Sequence, residues 1–218
     1  MQRLTDNRGV GETLTALRHL TIRLTSRDQT RPLATEITAA RDALNAANGA
    51  WEEARAQRVA ATAEIEYRDE LLDAAAMQLS RTALALVEGD TTDPRYRTLF
   101  PIAPSTAMRP VADDAQTRFV TALLARLEAD EAFVDLAIHA PTIRQRAEAV
   151  ANAINGREAL YVAEATASTA RAITADAARR AYNLMYPRLQ LMFPGDERLV
   201  ESFFVRRGRG GEGDEPVE

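Results

Sequence analysis

Apolar residues return at every seventh position from Ile37, through Leu44, Trp51, Ile65, Leu72, Leu79 and Leu86, with Arg58 the one polar member of the row. A second row, Ala40, Ala47, Ala54, Ala61 and Ala75, is alanine except at Arg68 and Thr82. Large residues on one line and alanine on the other let a partner helix pack closely along both. The phase survives Asn48-Gly49. The pattern therefore predicts one continuous helix over 32–88, roughly 85 Å long at about 1.5 Å per residue. Such a helix needs partners.

Shorter patterns flank it. Leu14, Leu17, Leu20 and Leu24 predict a helix over 11–25, and Pro32 suits the first turn of the long helix. Gly89 supplies a stop. Asp93 followed by Pro94 is a cap and first helical residue for one or two turns that Pro101 closes, with Leu99 and Phe100 as core plugs. Residues 102–111 read as a proline-marked loop. A third helix is expected over 112–139, with a break near Asp130, carrying Phe119, Leu123, Leu127 and Phe133. A second long helix is expected over 142–186, with Ala147, Val150, Ile154, Tyr161, Ser168, Ala175 and Tyr182 on its seam. A short helix over 196–205 presents Leu199, Val200, Phe203 and Phe204, and its acidic start and basic Arg206-Arg207 end suit the helix dipole.

The halves echo each other. Thr15-Ala16-Leu17 recurs as Thr121-Ala122-Leu123, and Pro32 is answered by Pro141. Asn45-Ala46-Ala47-Asn48-Gly49 recurs as Asn152-Ala153-Ile154-Asn155-Gly156, and Pro94-Arg95 with Phe100-Pro101 as Pro187-Arg188 with Phe193-Pro194. The spacing between markers shortens by two heptads, a change that keeps a seam facing the same way. The expected fold is all-α: an elongated antiparallel four-helix bundle from two tandem, duplicated helical hairpins, with a short C-terminal helix. In domain terms, 1–9 is a flexible N-terminus and 10–207 a single bundle domain. Within it, hairpin one spans about 10–101, hairpin two about 112–194 and the short helix 196–205. Residues 208–218 are a disordered tail.

Composition changes the picture mainly by exclusion. The chain has 218 residues and no cysteine, so disulfides, thiolate metal sites and a cysteine nucleophile are out. Arginine supplies all the basic charge; the complete absence of lysine rules out a Schiff base and a phosphate-loop lysine, and with the many alanines it is the composition of a GC-rich, bacterial-like genome. A net charge of −5 argues against a general nucleic-acid binder. No apolar window is long enough for a membrane span and no secretory signal opens the chain, so a cytoplasmic protein is expected.

Candidate chemistry is sparse. His19 and His139 lack the spacing of a di-iron bundle and read as boundary and helix-end residues. Gly9-Val10-Gly11 follows no strand, and Glu52-Glu53 and Asp113-Asp114 read as solvated faces or helix starts. Arg207-Gly208-Arg209-Gly210-Gly211, followed by acids, reads as a solubilising tail rather than a nucleic-acid segment. The two Asn-Gly pairs admit a packing reason or tolerated inheritance. The sharper signal is charge on the seams: Arg58 and Arg68 in the first, Arg157, Glu164 and Arg171 in the second. One reading is a polar layer in which Glu164 meets Arg58 or Arg68 and fixes register. The other lets the arginines snorkel outward while Val59 and Tyr67 take the seam. No catalytic residue, cofactor or metal site is expected. The expectation is a non-enzymatic structural or protein-interaction module with a protein partner or self-association, for instance through an overhang of the first long helix. The alternative is a bundle that binds a small molecule or anion through an arginine-lined interior with Tyr161 and Tyr182.

Overall fold

A computed structural model describes residues 4–5, 8–109 and 114–205. The expected tail over 208–218, Arg206-Arg207 and Asp113 lie outside the described residues. In chain order the elements are α1 (Val10–Thr25), α2 (Arg31–Leu86), α3 (Pro94–Leu99), α4 (Pro104–Ala107), α5 (Asp114–Ala129), a 3-10 segment (Glu131–His139), α6 (Ala140–Met192) and α7 (Glu197–Ser202). Among the described residues there is no strand, and no helix is long and apolar enough to cross a membrane.

The chain divides into two compact units, Met1–Arg55 with Ala163–Glu218, and Ala56–Val162. In the first, Leu14, Leu17, Leu20 and Leu24 of α1 are buried with Ile37 and Leu44 of α2, Tyr182, Met185 and Leu189 of α6, and Val200, Phe203 and Phe204 at α7. In the second, Leu72, Leu79 and Ala83 of α2 pack with Leu99 and Phe100, with Phe119, Leu123 and Leu127 of α5, with Phe133 and Leu136 of the 3-10 segment, and with Ile143 and Val150 of α6. A segment of α2 thus packs with a segment of α6 in each unit. Of the seven-residue row on α2, Ile37, Leu44, Ile65, Leu72 and Leu79 are buried, and Trp51 and Arg58 are half-buried. Leu86, the last member of the row, is exposed, while Ala83 and Val87 are buried. There α2 unwinds: Glu88 and Gly89 take left-handed φ of 55° and 83°, and the Gly89 N–H donates to the Leu84 carbonyl at 2.8 Å.

Local chemistry sets the other boundaries. Asp93 caps α3, its side chain accepting from the Arg95 N–H at 2.8 Å with Pro94 at the first helical position. Asp130 breaks the expected third helix, its carboxylate accepting from the Ala132 N–H at 2.9 Å as the chain changes to 3-10 geometry. Pro104 opens a helical turn within the expected loop. Near the N-terminus Leu4 is held at both backbone groups by Asn183, at 2.9 Å each. The second long helix does not end before Pro187. It runs through this residue to Met192 and stops near Gly195 (φ 83°). Pro187 therefore lies inside α6 whereas Pro94 begins α3, so these two repeat markers occupy different structural positions.

A Cβ built at Gly49 or Gly156 meets nothing within 4 Å, so neither Asn-Gly pair has a packing reason. Both glycines are mid-helix. Gly49→Ala and Gly156→Ala should each stabilise the protein by up to about 1 kcal/mol, read by chemical denaturation.

Candidate functional site

The seam charges fall where the core thins. No residue of α2 between Leu44 and Ile65, and none of α6 between Val150 and Ala175, is fully buried. Arg58, Arg68 and Arg157 belong to the second unit; Glu164 and Arg171 belong to the first. All five are half-buried.

In the first unit the Arg171 guanidinium lies 3.6 Å from the centroid of the Trp51 ring, and Arg55 approaches the same ring at 5.4 Å. In the second, Arg58 and Arg157 approach Tyr161 at 5.2 and 5.7 Å. A weakly hydrated, planar guanidinium stacks well on an aromatic face, which favours a half-buried arginine at these positions. The Arg157 Nε is buried without a hydrogen-bond partner. Arg68 pairs with Glu64 one turn earlier at 2.7 Å, on a solvated face where such a pair contributes little. Val59 and Tyr67, which the outward-arginine reading placed on the seam, are 54% and 57% exposed.

Trp51 is the chain's single tryptophan, so its fluorescence isolates this contact. Arg171→Ala should shift Trp51 emission to the red and cost about 1 kcal/mol. Arg68→Ala should leave both emission and stability near the parent values.

A second polar cluster, missed in the sequence, lies in the second unit. Asp69 is buried on α2, and Gln116 of α5, also buried, donates from Nε2 to Asp69 Oδ1 at 2.6 Å and to Asp73 Oδ1 at 3.4 Å. Burial and then the neighbouring Asp69 charge push Asp73 up to about 6, against a smaller opposing effect of its bond from Gln116. Stepping by four and three from Ile65 leads through Asp69 to Leu72, so helical periodicity did mark this site.

The first unit also holds a cavity of about 410 Å³. It is lined by Leu4, Arg8, Glu12, Ala16, Tyr182 and Val205, with Arg8 paired to Glu12 at 3.1 Å. Burial raises the Tyr182 phenol. Burial, then the Arg23 charge, lowers His19, whose Nε2 is buried without a partner. Among the described residues no group of three or more His, Asp or Glu could hold a metal ion.

Compared with protein-family models, curated proteins and solved structures, the chain matches none.

Proposed function

We propose that the protein is a non-enzymatic structural and protein-interaction module, with the outward face of α6 as its association surface. The observation that carries this reading is the exposure of Ile173, Leu184 and Leu191, at 64%, 52% and 85%. They recur at spacings of eleven and seven residues, which return to the same side of a helix. A row of large apolar residues left in water on a helix whose other side is in a core is the usual mark of a docking face. The expected overhang of the first long helix has less support, because the exposed large residues of α2, Val59, Tyr67 and Leu86, form no such row.

The finer architecture belongs to the same proposal: an elongated antiparallel four-helix bundle of duplicated hairpins with coiled-coil seams, working in the cytoplasm without nucleic acid. The presence of one shorter helix beside the long helices in each unit, α1 in the first and α5 in the second, supports the duplication. The different settings of Pro94 and Pro187 count against it.

The cavity beside Arg8 and Tyr182 favours a second reading, a bundle that binds a small anionic molecule. A photoreactive residue at position 184, in cells that make the protein, separates the two. The association reading expects a protein adduct from position 184 and none from position 66, an exposed site on α2. No adduct from position 184 would overturn it.

A further inference from the structure

We propose that the first unit binds an extended peptide of another protein, one with an aromatic side chain, at a site made by Asn183 and the cavity beside Tyr182. Leu4 of this chain is the resident occupant of that site. The site is separate from the outward face of α6, so capture at position 184 tests that face and peptide binding tests this one.

The site recognises backbone. The Leu4 N–H donates to Asn183 Oδ1, and Asn183 Nδ2 donates to the Leu4 carbonyl, each at 2.9 Å. An exchange of two hydrogen bonds with a single residue is what a neighbouring strand offers an extended chain. A carboxamide that supplies the same pair accepts any residue with an N–H, whatever its side chain. The demand on the side chain comes from the cavity alone.

Leu4 meets that demand incompletely. Its side chain is half-buried against the first unit's core. A cavity of about 410 Å³ still opens beside it, walled by Ala16, Tyr182 and Val205. Pockets that hold ligands run from about 300 to about 1,000 Å³, mostly apolar with a few placed polar groups. An aromatic side chain on the backbone position of Leu4 would fill more of this space and lie against the Tyr182 ring, a contact that leucine cannot match.

The geometry lets Leu4 leave without disturbing the site. Arg8 is fixed independently: Arg179 Nη2 donates to its carbonyl at 2.6 Å, and its guanidinium pairs with Glu12 at 3.1 Å. Arg179 is fixed in turn by Asp176 at 2.7 Å. The rim of the cavity and the start of α1 therefore stay in place when Leu4 swings out. Asn183 also stays, on a stretch of α6 anchored by the buried Tyr182 and Met185. The exchange gives up two hydrogen bonds and one half-buried side chain, and an incoming peptide restores both. Because the connection to α1 is short, Leu4 competes at a high effective concentration, so the intact chain binds a partner weakly and loss of the Leu4 anchor unmasks the site.

The probe is a fluorescein-labelled synthetic peptide with the sequence of residues 1–8 and phenylalanine at its fourth position, followed by fluorescence anisotropy against the full chain. Leu4→Asp sets a carboxylate against the apolar cavity and expels the resident segment. This chain should bind the probe at least about tenfold more tightly than the parent, with an unchanged circular dichroism spectrum. Methylating the phenylalanine nitrogen of the probe removes the donor to Asn183 Oδ1 and should weaken that binding at least about tenfold. Adding Asn183→Ala to Leu4→Asp should do the same. Leu4→Phe should fill the cavity from within, raise the melting temperature and bind the probe less well than the parent. Equal binding by the parent and the Leu4→Asp chain would overturn the proposal, as would binding that survives methylation. So would no binding by a Leu4→Asp chain that keeps its spectrum. Should Leu4→Asp lose its spectrum, Leu4→Gly, which removes only the anchor, takes its place in each comparison.

Discussion

Phe204→Ala should cost about 3–5 kcal/mol, and the loss should concentrate in the first unit. The Phe204 ring is buried after α7, meets Tyr182 edge-on at 5.3 Å between centroids and lies 5.7 Å from Tyr186. Its removal deletes one of the largest side chains in that core and two aromatic contacts at once. Phe203 is equally buried and stacks on Phe193 at 6.2 Å, so the two phenylalanines fasten α7 to the end of α6 from two sides. With the cavity lined by Tyr182 and Val205 adjacent, the site has room to admit water rather than collapse. Native-state hydrogen exchange reads the result by position. Amides of α1 and of α6 around Tyr182 should exchange much faster in the variant, while those near Leu79 and Leu123 should keep most of their protection. Equal loss in both units would mean that their cores unfold as one.

Gln116→Leu should have the second largest effect, and it should depend on pH. Leucine keeps about the same volume but removes the donor 2.6 Å from the buried Asp69 carboxylate. Taking a hydrogen bond from a buried ionised group costs about 1.5–3 kcal/mol. The neighbouring Asp73 sets the pH window. Its folded value, raised to about 6 from the ordinary 3.8, means that the folded chain holds this proton more tightly than the unfolded chain does. Its contribution to stability is therefore fully present below the ordinary value and is lost as pH rises through about 6. At about pH 8 Asp73 is ionised and leans on Gln116, so the substitution should cost most there. At about pH 5 a protonated Asp73 can itself donate, and the cost should shrink. Asp73→Asn should flatten the parent's decline between about pH 4 and about pH 6. Urea denaturation across pH measures all three proteins, and a Gln116→Leu penalty equal at both pH values would sink the account of the cluster.

Much of the architecture was legible because it follows from backbone chemistry and periodicity. The single long α2, the Asp93-Pro94 start, the break at Asp130 and the packing of Phe203 and Phe204 all came from residue type at the right spacing. Pro187 misled. Proline usually ends a helix, but here only one backbone donor is missing within two turns of the helix end. Tyr182, Met185 and Leu189, buried on either side of it, hold the helix through. What the half-buried arginines meet was not legible. That Arg171 meets Trp51, and Arg58 meets Tyr161, depends on the register between helices distant in sequence, which periodicity leaves open. Asp69 escaped notice because a carboxylate on an apolar stripe reads as a flaw until its donor on another helix is known. The outward row on α6 was hidden for a related reason. Large apolar residues at helical spacing look the same whether they face a core or water.

Native mass spectrometry of the purified protein at several concentrations tests the association reading most directly. The account predicts assemblies whose mass is a whole multiple of the chain, growing with concentration and free of added small-molecule mass. A monomer at every concentration that carries a reproducible extra mass would contradict it, and would make the cavity beside Arg8 and Tyr182 the working site.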